Sequence, residues 1–145
     1  MKLLNFFLGF TTIALIGVPA IAQRVYEEQV ADQLSQIEEA LNDDGLVRSH
    51  NYKIDRIDDS SRDYLTLELD SNEDYLITAV CDSDCYDIDL KLYDDNDNLI
   101  DEDTKRDDFP IVSVTPRRTA EFTIQVSIYS CTEPYCYYGV GVFQK

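Results

Sequence analysis

Residues 75–98 read YLITAVCDSDCYDIDLKLYDDNDN. Apolar side chains recur at every second position on both sides of the cysteines: Tyr75, Ile77 and Ala79 before them, Ile88, Leu90 and Leu92 after them. A period of two puts each set on one face of an extended strand. The intervening C-D-S-D-C and the closing D-D-N-D-N are rich in Asp, Asn and Ser, which hydrogen-bond their own backbone and reverse the chain. Strand, closed turn, strand and turn follow one another as in an antiparallel sheet, and most of the chain keeps to that order.

Working outward, the alternation predicts strands over residues 47–54, 64–69, 75–81, 87–93, 111–115, 120–129 and 137–143. The inward sets are Leu65, Leu67 and Leu69; Phe122, Ile124, Val126 and Ile128; Tyr138, Val140 and Val142; and the two sets named above. DDSS, DSNED, TPRR and CTEPYC supply further turns. About seven to eight short strands with no helix between them predict a mainly β fold, an antiparallel β-sandwich of jelly-roll-like form.

The N-terminal part is different. Met1 and Lys2 precede the apolar run LLNFFLGFTTIALIGV and then Pro19-Ala20-Ile21-Ala22, an A-x-A cleavage site, so residues 1–22 read as a signal peptide. Beyond it Tyr26, Val30, Leu34, Ile37 and Leu41 recur at helical spacing, and Gly45 offers a stop. The expected organisation is a leader over 1–22, one amphipathic helix within 23–45 and a sandwich over 46–145. With the leader removed, nothing in the pattern calls for a membrane.

The chain carries a formal charge of −17, and loss of Lys2 takes it to −18. Such a charge repels phosphate backbones, excluding nucleic acid as a partner and favouring cations and basic proteins. Cys81, Cys85, Cys131 and Cys136 in an exported chain read as two disulfides. The C-x3-C and C-x4-C spacings favour local pairs, Cys81 with Cys85 and Cys131 with Cys136, each stapling a hairpin turn. Four thiolates also suit zinc, but structural zinc sites favour tighter knuckles.

Catalytic motifs are missing from the sequence: one histidine, His50, and no G-x-S-x-G, H-E-x-x-H or phosphate-binding glycine loop. Calcium is the candidate cofactor, because Asp87 and Asp89 share a strand face and Asp82, Asp84, Asp94 and Asp97 lie in the turns beside them. The EF-hand template fails from Asp94, with Leu99 at its glycine position and Lys105 at its bidentate glutamate. Tyr135, Tyr137 and Phe143 form the candidate binding surface. Alternation sends Tyr137 and Phe143 to the face opposite Val140 and Val142, with Gly139 and Gly141 leaving it flat. That strip is also the expected seat of the helix, whose apolar stripe must be buried.

The stretch from Tyr75 to Val142, with its CDSDC, DIDLKLYD, DDFPIVSVTP and CTEPYCYYGVGV segments, resembles exported bacterial domains of the pre-peptidase C-terminal (PPC-type) β-sandwich. The resemblance implies an accessory module of the kind found beside secreted hydrolases, and similar collagen-binding domains use calcium. The chain departs from that arrangement in carrying no catalytic domain, and in having Asp97-Asn98 where such turns have glycine. The expected function is therefore a secreted, periplasmic or extracellular, non-catalytic binding or structural module for a protein or glycan. A calcium-dependent adhesion or stabilising module is the alternative, and an extracellular hydrolase the third reading.

Overall fold

The structure, a computed structural model, describes residues 20–145, except the side chains of Ala20 and Ala22. The expected leader lies outside the described residues save for its last three positions. One helix, α1 (Ala20–Asp43), is followed by β1 (Val47–Arg48), β2 (Lys53–Asp58), β3 (Ser61–Leu69), β4 (Tyr75–Cys81), β5 (Cys85–Tyr93), β6 (Leu99–Asp103), β7 (Ile111–Val114), β8 (Ala120–Cys131) and β9 (Tyr135–Gln144). Among the described residues no helix is long and apolar enough to cross a membrane.

The strands form two antiparallel sheets. One has the order β2-β9-β4-β7, with β1 also pairing to β9, and the other β3-β8-β5-β6. This is the jelly-roll arrangement. The inner faces share one core, and all five alternating sets contribute to it: Ile77, Val140 and Val142 from the first sheet meet Ile88, Leu90, Ile124 and Ile128 from the second. Tyr138 sits among them, 1% exposed, and satisfies its hydroxyl by donating to Asp63 Oδ2 at 2.6 Å, a link from β9 to β3 across the sandwich.

Two of the expected strand boundaries need correction. The 47–54 segment divides into β1 and β2, and the acidic segment Leu99–Asp103, with no apolar alternation, is a strand. As β6 it lies at a sheet edge, where its charged side chains discourage further pairing. Asp101 and Asp103 accept hydrogen bonds from the backbone N–H of Ser113 and Ile111, tying β6 to β7 at the margin of the sandwich.

The disulfides pair as the spacing favours, Cys81 with Cys85 and Cys131 with Cys136, with Cα separations of 5.9 and 6.0 Å. They do not staple hairpins, however. The turn after Cys81 carries the chain from β4 in one sheet to β5 in the other, and the turn after Cys131 carries it back from β8 to β9. Each staple therefore closes a corner between the sheets. Cys85 and Cys131 are register partners on β5 and β8, so both corners lie side by side at one end.

Helix α1 ends in a Schellman turn: Leu46 N–H donates to Leu41 O, Gly45 N–H donates to Asn42 O, and Gly45 takes φ 84°. Its apolar stripe lies on the outer face of β9. A Cβ at Gly139 would stand 2.5 Å from Val30 Cγ1 and 2.8 Å from Leu34 Cδ1, so only glycine admits the helix this closely. The helix is fastened by Tyr52, whose hydroxyl donates to Glu38 and to Leu34 O, while Arg48 lies over the Tyr52 ring and pairs with Glu38. Burial, followed by the Glu38 carboxylate, pushes the Tyr52 pKa up to about 12.

Candidate functional site

The stapled end is built from the backbone outward. Asp82, 4% exposed, accepts hydrogen bonds from the N–H groups of Tyr137 (2.7 Å) and Asp84 (3.0 Å), and its own N–H donates to Tyr137 O. Burial raises its pKa above the usual carboxylate range, while the two N–H donors pull the other way. Gln33 of α1 donates to Cys81 O, and Gln29 accepts from Ser83 N–H. Thr132 N–H donates to Asp84 O, joining the second corner to the first. Helix and both corners are thus one fastened unit.

A cavity of about 410 Å³ opens where they meet. Tyr26 from α1 stacks nearly parallel to Tyr137, with ring centroids 6.1 Å apart, and Tyr135 meets Tyr137 edge-on at 5.9 Å. All three rings line the cavity, together with Asp84 and Glu133. Hydrogen bonding to Asp84, with the carboxylate's charge, holds the Tyr26 hydroxyl above the usual phenol pKa. A pocket of this size with a few polar groups suits a small molecule or a single side chain.

Tyr135 and Tyr137 meet here, but Phe143 does not join them. It is fully buried, because the helix that covers Gly139 and Gly141 also closes over its side of β9. Tyr26 and Glu133 were not expected in a site: Tyr26 reads as part of the helical stripe and Glu133 as a turn residue.

The six candidate calcium ligands are dispersed. Asp82 and Asp84 both border the tyrosine cavity, the former with its oxygens engaged by the corner backbone. Asp94 accepts hydrogen bonds from Asn96 and Asn98 in the β5–β6 turn, where Asp97 takes φ 60° in place of the expected glycine. That turn lies a full strand away from Asp82, roughly 25 Å by the strand rise. Asp87 and Asp89 remain together on β5.

Asp89 faces away from the core yet is 8% exposed, because the loop after β6 returns along β5 and Ile88 N–H donates to Asp107 O. One oxygen of each carboxylate, Asp87 Oδ1 and Asp89 Oδ1, is buried without a hydrogen-bond partner. Burial, and then the charge of Asp87, push the Asp89 pKa up to about 6; Asp103 and Asp107 act in the same direction. Among the described residues, no three carboxylate, imidazole or thiol side chains gather closely enough to hold a metal ion.

His50 is engaged elsewhere, its Nδ1 against Ser49 Oγ at 2.8 Å and its Nε2 against Glu68 O at 3.1 Å. A comparison with protein-family models and with curated proteins finds no match to this chain.

Proposed function

We propose that the chain is an exported, non-catalytic binding module, a sandwich of the PPC type, which engages a protein or glycan partner at its disulfide-stapled end. The observation that carries this reading is the convergence of Tyr26, Tyr135 and Tyr137 on one cavity, held by the helix and the two corners. Tyrosines offer large apolar area with few rotatable bonds, which suits recognition. Two disulfides support residence in an oxidising compartment.

The test is chemical-shift mapping of the disulfide-bonded protein against a panel of oligosaccharides, peptides and small ions. Shifts clustered on Tyr26, Tyr135 and Tyr137 are expected for at least one class. Turnover of a panel member, or binding that maps only to other surfaces, overturns the reading.

A second reading, the calcium-stabilised module, draws support from the buried, unpartnered oxygens of Asp87 and Asp89. Calcium takes six to eight oxygens, so these two carboxylates would supply a minority of them, with backbone carbonyls and water supplying the rest. It predicts a higher Tm in calcium than in chelator, lost in Asp87→Asn and Asp89→Asn. Identical melts dismiss it.

A further inference from the structure

We propose that the tyrosine cavity takes an organic cation, an alkylammonium group such as a lysine side chain or a choline-type head. This rests on the reading of the stapled end as the binding surface and adds the chemistry of what binds there.

Three observations carry it. The walls are aromatic, and the negative face of a tyrosine ring attracts a cation, the more so where water is displaced. Asp84 and Glu133 border the same cavity, and among the described residues neither has an ion-pair partner and no Lys, Arg or His lines the space. Aromatic rings beside carboxylates that have no ion-pair partner complement a group that is apolar in its alkyl part and positive in its charge. The protein also uses its tyrosines this way internally: Arg56, which does not line the cavity, lies 4.7 Å from the centroid of Tyr135, and Arg48 lies 4.6 Å from that of Tyr52.

Other occupants fit less well. An anion would meet three carboxylates, those of Asp82, Asp84 and Glu133, inside a field of net charge −17. A neutral sugar would stack on the rings but leave the carboxylate charges uncompensated. Asp82 also lines the cavity, but its oxygens are spent on the Tyr137 and Asp84 N–H groups, and it positions the corner that presents Asp84.

The experiment titrates the disulfide-bonded protein with choline, with its uncharged isostere 3,3-dimethylbutan-1-ol, with a Gly-Lys-Gly peptide and with a glucose oligomer, following the resonances of Tyr26, Tyr135 and Tyr137. Choline or the peptide is expected to bind there about tenfold more tightly than the isostere, as one cation–π contact beside a carboxylate allows. Whichever of the two binds identifies a free head group or a peptide side chain as the source. Asp84→Asn is expected to erase most of the preference, and Tyr26→Ala to weaken binding with the core intact. Equal binding of choline and isostere, or binding of the glucose oligomer alone, overturns the cation inference and leaves the binding surface standing. Absence of any shift at these three tyrosines, for every probe here and in the wider panel, overturns both.

Discussion

Replacing Asp89 with Asn is expected to stabilise the protein at neutral pH and to change little near pH 4. Asp89 is 8% exposed and carries a buried oxygen without a partner. Its pKa rises from 3.8 to about 6, through burial first and the charge of Asp87 second. A carboxyl whose pKa is raised by folding favours the folded state below its unfolded value, where both states hold the proton. That contribution is lost as pH rises through 6, because the folded protein then gives up a proton it holds more tightly than the unfolded chain does. The displacement corresponds to roughly 3 kcal/mol at full effect, at about 1.36 kcal/mol per pH unit. Solvent at the outer face of the sheet screens it, leaving about 1–2 kcal/mol for an uncharged isostere to recover. Urea unfolding in chelator at pH 4 and pH 7.5 reads this as a rise in midpoint, at constant slope, confined to the higher pH. A rise of the same size at both pH values, or a loss at pH 7.5, refutes the reasoning.

Two further predictions concern the scaffold. Gly139→Ala is expected to cost about 1–3 kcal/mol, because its Cβ would stand 2.5 Å from Val30 Cγ1 and force the helix outward; an unchanged urea midpoint would show that the helix is not seated as described. The paired change Cys131→Ser and Cys136→Ser is expected to cost about 2 kcal/mol from the small ring that it opens. Hydrogen exchange in that variant should quicken at Tyr135 and Tyr137 before it quickens in β5, and uniform quickening would count against a local corner staple.

The architecture was legible where one face of a strand is buried. A period of two is enforced when every second side chain must leave water, which is why the inward sets of β3, β4, β5, β8 and β9 could all be read from alternation. Leu99–Asp103 escaped that reading for the same reason. An edge strand bonded along one side only carries no buried stripe, and β6 is held by backbone pairing to β5 and by Asp101 and Asp103 reaching β7. The local cysteine pairing was legible from spacing, but spacing does not say which sheet the next strand joins. A three-residue turn serves a hairpin or a corner alike, so the change of sheet at Cys81 and Cys131 emerges only from the pairing partners of β4, β5, β8 and β9.

The cavity was half legible, and what was missing is of the same kind. Tyr135 and Tyr137 stood out because they crowd one turn, whereas Tyr26 is separated from them by the whole sandwich and carries the helical period of a packing residue. Both descriptions of Tyr26 are correct: Val30 and Leu34 are fully buried, while Tyr26, one turn before Val30, lies at the margin of the helix seat and keeps part of its ring in the cavity. A stripe at helical spacing records which side of a helix meets a sheet, but not where the sheet stops. Here it stops at the stapled corners, and the residue placed by the period to bury itself becomes, at that boundary, a wall of a cleft. Asp82 and Asp84 meet at the same boundary. Two positions apart in one turn, both border the cleft with Glu133, but the first spends its oxygens on backbone N–H groups, so the acidic turn both holds the corner and presents charge.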